Sequence, residues 1–299
     1  MSGSPLLESE APVFLVGAPR SGTSLVYKAL CLHPDASYIS NWVRLFPALP
    51  QLAVLNRAAG RLPELRRRAW FGGGANAYVY GSRRPVWQRA FPMPVEGEPL
   101  YARAGVGDNG AMPSLDRLRT SFAAVRRAGG GTIFVNKRVA NNRRIPLLLE
   151  AFPRARFVEI VRDGRAVALS LANVDWWPDT VVWWSGKTPH QWEAAGGDPW
   201  ELCARTWVEE LHATEAGLAS VGADQRCSIT YEGLIGDPHR TLCEVAAFAG
   251  LDPGAGGGRW LAGIDFPDRN EAWRTRLDAA ALATIEAVES DDLRRHGYV

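Results

Sequence analysis

The chain of 299 residues is 46% hydrophobic and 22% charged, which is ordinary globular usage and excludes a disordered or fibrous polymer; a chain of this length buries about three quarters of its surface without a disulfide or metal staple. Its 34 basic and 32 acidic residues leave a formal charge of +2, which argues against a general nucleic-acid coat or a polybasic membrane anchor. Lysine is scarce within that balance: 31 of the 34 basic residues are arginine, and the exceptions are Lys28, Lys137 and Lys187. The arginine bias reads as the composition of a GC-rich genome, so the three lysines are what invite explanation.

Residues 1–11, MSGSPLLESEA, lack the basic start and long apolar core of a signal peptide, and are expected to form a loose tail ahead of a single domain over 12–299. No apolar run of about 18 residues predicts a transmembrane span. The four cysteines, Cys31, Cys203, Cys227 and Cys243, are far apart with no CxxC, so buried free thiols in a reducing cytoplasm are expected rather than zinc. In chain order, Val13 to Val16 predicts a strand that ends in a Gly/Pro turn, and the helical spacing from Ser24 predicts a helix. A second strand is predicted at Thr132 to Val135 and a helix at Ile145 to Phe152. Then follow a strand at Arg156 to Val161, a helix from Arg165 to Leu171, a strand at Cys227 to Thr230, and a helix from Pro238 to Ala249 closed by Gly250. This alternation predicts an α/β fold of P-loop type, a parallel sheet flanked by helices. Two stretches interrupt it, at about 53–128 and 173–207, the second holding seven of the twelve tryptophans. They read as insertions forming an acceptor pocket at the open end of the sheet.

The strongest local signal is Gly17-Ala18-Pro19-Arg20-Ser21-Gly22-Thr23-Ser24 between the first strand and helix. Successive N–H groups backed by a helix N-terminus form an anion cradle. The spacing is that of GxxxxGK[ST], with Thr23 in place of the phosphate-contacting lysine. Without that lysine, or an evident acidic magnesium ligand, nucleoside triphosphate hydrolysis lacks two of its parts. A tight strand-to-helix turn with no ligand is the bland alternative for the loop taken alone.

With its later segments included, the sequence resembles the sulfotransferases that use 3′-phosphoadenosine 5′-phosphosulfate. APRSGTS resembles their 5′-phosphosulfate loop in its arginine version, as in the Golgi-type and many bacterial members. Arg162-Asp163-Gly164-Arg165-Ala166-Val167-Ala168-Leu169-Ser170 resembles their 3′-phosphate motif, and Tyr231-Glu232 with Leu234 and Asp237-Pro238 resembles their YExL…DP segment. Lys137 is similar in placement to the lysine of the tyrosylprotein branch. The resemblance implies that Ser21, Gly22, Thr23 and Ser24 hold the 5′-phosphate and that Arg162 and Ser170 grip the 3′-phosphate. It further implies that Tyr231 lies near the nucleotide and that Arg20 and Lys137 stabilise the transferring sulfuryl group without a metal. Arg269 and Trp273 are weaker matches to late segments that close over the nucleotide.

In the tyrosylprotein branch a glutamate follows the loop arginine by 21 residues, and here that position is Asn41, which cannot accept a proton. The base is therefore sought among Glu96, Glu98, His33, Asp108 and Asp175. Glu96, in a PxE element that recurs in bacterial relatives, is placed first; His33 and Asp175 suit capping roles better. Trp87, Trp176, Trp177, Trp183 and Trp184 suggest an apolar, stacking acceptor pocket, with Lys187 near it, and Lys28 is expected to be structural. The expected activity is sulfuryl transfer to a hydroxyl of a phenol, natural product or glycolipid-like acceptor. A P-loop kinase and a non-catalytic nucleotide-binding relative are the alternatives.

Overall fold

The computed structural model describes residues 11–71, 85–107, 112–264, 266 and 268–299. Five strands form one sheet in the order β2-β3-β1-β4-β5. They are β1 Val13–Val16, β2 Ala36–Ser37, β3 Ile133–Lys137, β4 Arg156–Val161 and β5 Arg226–Thr230, and every pairing is parallel. The run VFLV is apolar throughout because β1 is central and covered on both faces. Alternation along the strand sends Val13 and Leu15 to one layer, where they meet Leu25, Val26 and Leu30 of helix α1 (Thr23–Leu30) and Leu242, Val245 and Ala246 of helix Pro238–Ala249. Phe14 and Val16 face the other layer. There Phe14 packs on Phe157 with centroids 5.7 Å apart, and Phe122 of helix Leu115–Gly129 packs on Phe134 at 4.5 Å.

The sequence reading placed four strands and missed β2, because the two residues Ala36 and Ser37 offer no apolar run; backbone pairing with Ile133 and Phe134 makes the strand. It also ended β3 at Val135, where polar residues begin. The strand continues through Asn136 and Lys137, whose buried side chains find polar partners instead of a hydrophobic layer. The helices at 145, 164 and 238 begin within a residue of expectation, and Gly250 closes the last with φ 83°. Helix Leu115–Gly129, inside the first interruption, covers the sheet, and the second interruption runs into the long helix Pro199–Leu218. Among the cysteines, Cys31 and Cys203 are buried, while Cys227 and Cys243 are only half-buried. No described helix is long and apolar enough to cross a membrane.

The chain leaves β1 for one side of the sheet and fills the other side later with β4 and β5. The crevice for a ligand therefore opens at the carboxyl ends of β1, β3 and β4. Register fixes what stands there: Leu15 lies opposite Lys137, and Val16 opposite Glu159. Helix α2 (Gly164–Ala172) follows β4 and packs against helices α3 (Pro199–Leu218) and α5 (Ala279–Arg295), while α4 (Tyr231–Gly236) follows β5.

Glu289 of α5 sits against Gly164 at the start of α2, fully buried, and neither carboxylate oxygen has a hydrogen-bond partner among the described residues. Burial first, and then the negative charge of Asp163, push its pKa well above the usual carboxylate range. A carboxyl whose pKa is raised on folding keeps its full stability contribution below the unfolded value, near 4.3, and loses it as pH rises toward the folded value. Glu289→Gln is thus expected to leave the melting temperature at pH 4.5 nearly unchanged and to raise it at pH 8. Equal shifts at both pH values would show that Glu289 does not titrate within the fold.

Candidate active site

The loop from Gly17 to Gly22 is shaped by three left-handed residues: Gly17 at φ 137°, Arg20 at φ 69° and Gly22 at φ 95°. A Cβ at Gly17 would collide with the Ile160 carbonyl, and one at Gly22 would come within 2.7 Å of the Tyr231 ring. Arg20 is the sole non-glycine residue with positive φ among those described, a conformation that costs about 1–2 kcal/mol and persists only where its surroundings hold it. Gly22 then serves as the N-cap of α1 with no side-chain cap. The first N–H groups of that helix have no i−4 acceptor and point toward the crevice end of the loop. Ser21 turns inward, its hydroxyl donating to Ala18 O at 2.8 Å, whereas Thr23 is buried and Ser24 partly open.

Arg162, just past β4, holds this loop. Its guanidinium donates to Arg20 O at 2.9 Å, to Asn270 Oδ1 at 3.0 Å and to Arg269 O at 3.2 Å, and lies 4.0 Å from the centroid of the Tyr231 ring. Asp163 pairs with Arg165 and caps α2, leaving Arg162 to face the loop. From α2, the Ser170 hydroxyl accepts from Arg20 Nε at 2.9 Å across 150 residues of sequence. Burial, followed by the like charges of Arg162 and Arg269, lowers the Arg20 pKa. The guanidinium groups of Arg20 and Arg162 thus stand beside a hydroxyl and a helix N-terminus, an arrangement that an anion would relieve. Tyr231, first residue of α4, touches both Gly22 and Arg162, and Glu232 accepts from the Asp163 N–H at 3.2 Å. Trp273 lies beneath Arg165, its ring centroid 4.1 Å from that guanidinium, and packs on Ala166 and Leu169.

Across the crevice, Lys137 donates to Glu96 Oε1 at 2.6 Å, so two residues 41 apart in sequence meet. Arg138 stands 3.5 Å from the other Glu96 oxygen. The Glu96 segment is fixed from both sides. Asn136 donates to Glu96 O at 3.2 Å while accepting from Tyr101 Oη at 2.7 Å. Upstream, Asn41 donates to Arg89 O at 2.9 Å and accepts from the Met93 N–H at 3.0 Å, and Val95 N–H donates to Ile39 O at 2.9 Å. Asn41 therefore braces the segment that carries Glu96.

The remaining base candidates lie elsewhere or are occupied. Glu98 pairs with Arg138 at 2.6 Å and with Arg144 at 3.3 Å. His33 is buried beyond α1, accepting from the Asp35 N–H at Nδ1 and facing Asp252 O at 2.8 Å through Nε2, which assigns it a capping role. Asp175 is exposed, and Asp108 falls outside the described residues. Lys28 is buried, with its ammonium 3.4 Å from Trp70 O, and Lys187 lies 5.9 Å from the Trp192 centroid. The tryptophans divide: Trp177 is buried, Trp184 and Trp192 pack edge to face at 5.8 Å, and Trp176, Trp183 and Trp87 remain exposed. Of the five tryptophans expected to form the stacking surface, Trp177 is core and Trp184 half-buried, while the other three stay exposed.

One buried cluster escaped the sequence reading. Asn142 clamps Gly17 from both sides, accepting from its N–H at 2.9 Å and donating to its carbonyl at 3.1 Å. It also donates to Glu210 Oε2 at 2.7 Å. Glu210 receives Arg143 at 2.9 Å and Trp183 Nε1 at 3.0 Å, and burial raises its pKa. This chain of contacts joins the tryptophan-rich stretch to the anion loop. An Asn-Asn pair after a strand carries no general signature, and only the fold brings it to Gly17.

Residues 12–253 match the sequence profile of the sulfotransferase family. Among solved structures, a sulfotransferase from Mycobacterium avium is similar over 96% of this chain and 76% of its own, at TM-score 0.60 and 15% identity. Another from Mycobacterium tuberculosis is similar over 94% and 76%, at TM-score 0.55 and 16% identity. These likenesses are of fold. No curated protein matches the chain by sequence.

Proposed function

The chain belongs to the sulfotransferase family, and from that premise we propose that it moves a sulfuryl group from 3′-phosphoadenosine 5′-phosphosulfate to a hydroxyl of an organic acceptor, such as a phenol, natural product or glycolipid-like molecule. The observation that carries the donor assignment is the convergence of Arg20, Arg162 and Ser170, linked by the 2.9 Å contacts of Arg20 with Ser170 and of Arg162 with the Arg20 carbonyl. The residues suit a donor with two phosphate positions. The α1 N-terminus with Gly22, Thr23 and Ser24 would hold the 5′-phosphate side, and Arg162 with Ser170 the 3′-phosphate. The donor supplies an activated S–O bond, and the protein supplies placement and charge.

Lys137 and Arg20 would serve as cations for charge that builds on equatorial and leaving oxygens in such transfers. Glu96 is the general base. While ionised it holds the Lys137 ammonium at 2.6 Å; once it takes the acceptor proton, its negative charge is gone. The lysine charge then becomes available to the leaving oxygen at the moment it is needed. Trp176 is exposed, and its ring would offer a face to the acceptor.

Adenosine 3′,5′-bisphosphate at 100 times its Kd is expected to stabilise the fold by about 2.7 kcal/mol, and 5′-AMP at the same concentration much less. Thermal denaturation checks this, together with transfer from labelled donor to a panel of phenols and alcohols. Equal shifts with the two nucleotides would remove the 3′-phosphate assignment, and a requirement for ATP and magnesium would replace sulfuryl by phosphoryl transfer.

A further inference from the structure

The near-neutral total conceals a local asymmetry. Residues 41–71 contain six arginines and one glutamate, a net charge of +5 in a chain that totals +2, so the rest of the chain sums to −3. The same segment leaves Leu45, Phe46, Leu49, Val54, Leu62 and Leu65 between 40% and 56% exposed. Its inward residues are accounted for: Ala53, Asn56 and Ala59 turn toward helix Leu115–Gly129, and Ala69 and Trp70 join the core under α1. On helix Val54–Gly60 and the turn after it, Val54, Arg57, Ala58 and Arg61 recur at i, i+3, i+4 and i+7 and are all exposed. Leu65 and Arg68 continue the outward face on helix Pro63–Phe71. Helix Val86–Ala90, tied to this segment by the Asn41 and Trp42 side chains, adds exposed Val86 and Trp87.

Basic and apolar side chains interleaved on one outward face are the composition of an element that lies in a bilayer interface. We propose that this face docks the protein on an anionic lipid bilayer, resting in its surface without crossing it. Charge selects this occupant. Three of the six arginines, Arg57, Arg61 and Arg68, are exposed, whereas Arg66 is buried and Arg67 pairs with Glu64; a second copy paired about a two-fold axis would set those exposed like charges against each other, and an uncharged bilayer would offer them no counter-charge. The proposal is independent of the reaction assigned above, since it concerns a surface and not the crevice.

Sedimentation of the whole protein with vesicles tests it. Binding to an equal mixture of phosphatidylcholine and phosphatidylglycerol should exceed binding to phosphatidylcholine alone by about tenfold or more, and fall as salt is raised. Each arginine at an anionic surface multiplies affinity by about five, so the combined variant Arg57→Gln, Arg61→Gln, Arg68→Gln should bind about 100-fold more weakly. Arg240→Gln, Arg274→Gln, Arg294→Gln removes the same charge from exposed positions elsewhere and should bind within about twofold of the parent. The uncharged route is tested by Leu45→Ser, Phe46→Ser, Leu49→Ser, which should also weaken binding while circular dichroism stays unchanged. Equal binding to both vesicle types, equal loss in the two arginine sets, or no vesicle binding by a protein that these variants convert from dimer to monomer would each overturn the proposal.

Discussion

Replacing Lys137 with methionine is expected to lower turnover by about 10²–10³-fold, the usual loss for one preorganised transition-state donor, while donor affinity changes by less than about threefold because the proposed ground-state contacts lie with Arg162 and the loop. Lys137 is only 4% exposed and its ammonium sits 2.6 Å from Glu96. Methionine keeps the length and fills the space, so the loss reports charge and not a cavity. The partner substitution Glu96→Gln should be similarly damaging for an aliphatic alcohol, which needs a base, and milder for an acidic phenol, which does not. If the two groups act as one device, the double variant should be hardly slower than either single one. Multiplicative losses would show that Lys137 and Glu96 work separately, and an unchanged rate with Glu96→Gln would remove it as base. Rapid-quench turnover with saturating donor distinguishes these outcomes from a binding defect.

The pair also shows what a sequence can and cannot disclose. The strand, loop and helix around Gly17–Ser24 are legible because their signals are local: an apolar run, glycines where φ must be positive, and helical spacing beyond. Arg20 and Ser170, 150 residues apart, meet because each stands at a strand end or on the following helix and the sheet order brings those ends together. The Lys137–Glu96 contact depends on how an irregular segment is pinned by Asn41 and Asn136, and no periodicity reports such pinning. Asn142 is further from view, because a side chain that clamps a glycine backbone can be any short amide at any distance in sequence. The tryptophans divide for a related reason. Their density suggested a stacking surface, but a buried indole and an exposed one have the same letter, and only packing separates Trp177 from Trp183.

Arg162→Ala should weaken binding of adenosine 3′,5′-bisphosphate by at least about 30-fold, the scale for truncating one partner of a buried, hydrogen-bonded charge. Two contributions add here. The first is the proposed direct contact with the 3′-phosphate, which 5′-AMP lacks. The second is indirect: Arg162 donates to the carbonyl of Arg20, the residue held at φ 69°, so its loss also frees the loop that receives the 5′-phosphate. The two are separable by titrating both nucleotides calorimetrically. Direct contact predicts that affinity for the bisphosphate falls further than affinity for 5′-AMP; an equal fall would confine Arg162 to bracing the loop. Arg162→Lys should recover little, since one ammonium cannot span Arg20 O, Asn270 Oδ1 and Arg269 O as the planar fork does. Ser170→Ala should be gentler, about three- to tenfold, for the loss of a single neutral hydrogen bond. The Ser170 hydroxyl accepts from Arg20 Nε, and a hydroxyl that accepts one hydrogen bond still donates its own proton. Ser170 can therefore bind a phosphate oxygen without releasing Arg20, and loop and helix would close on the ligand as a connected unit.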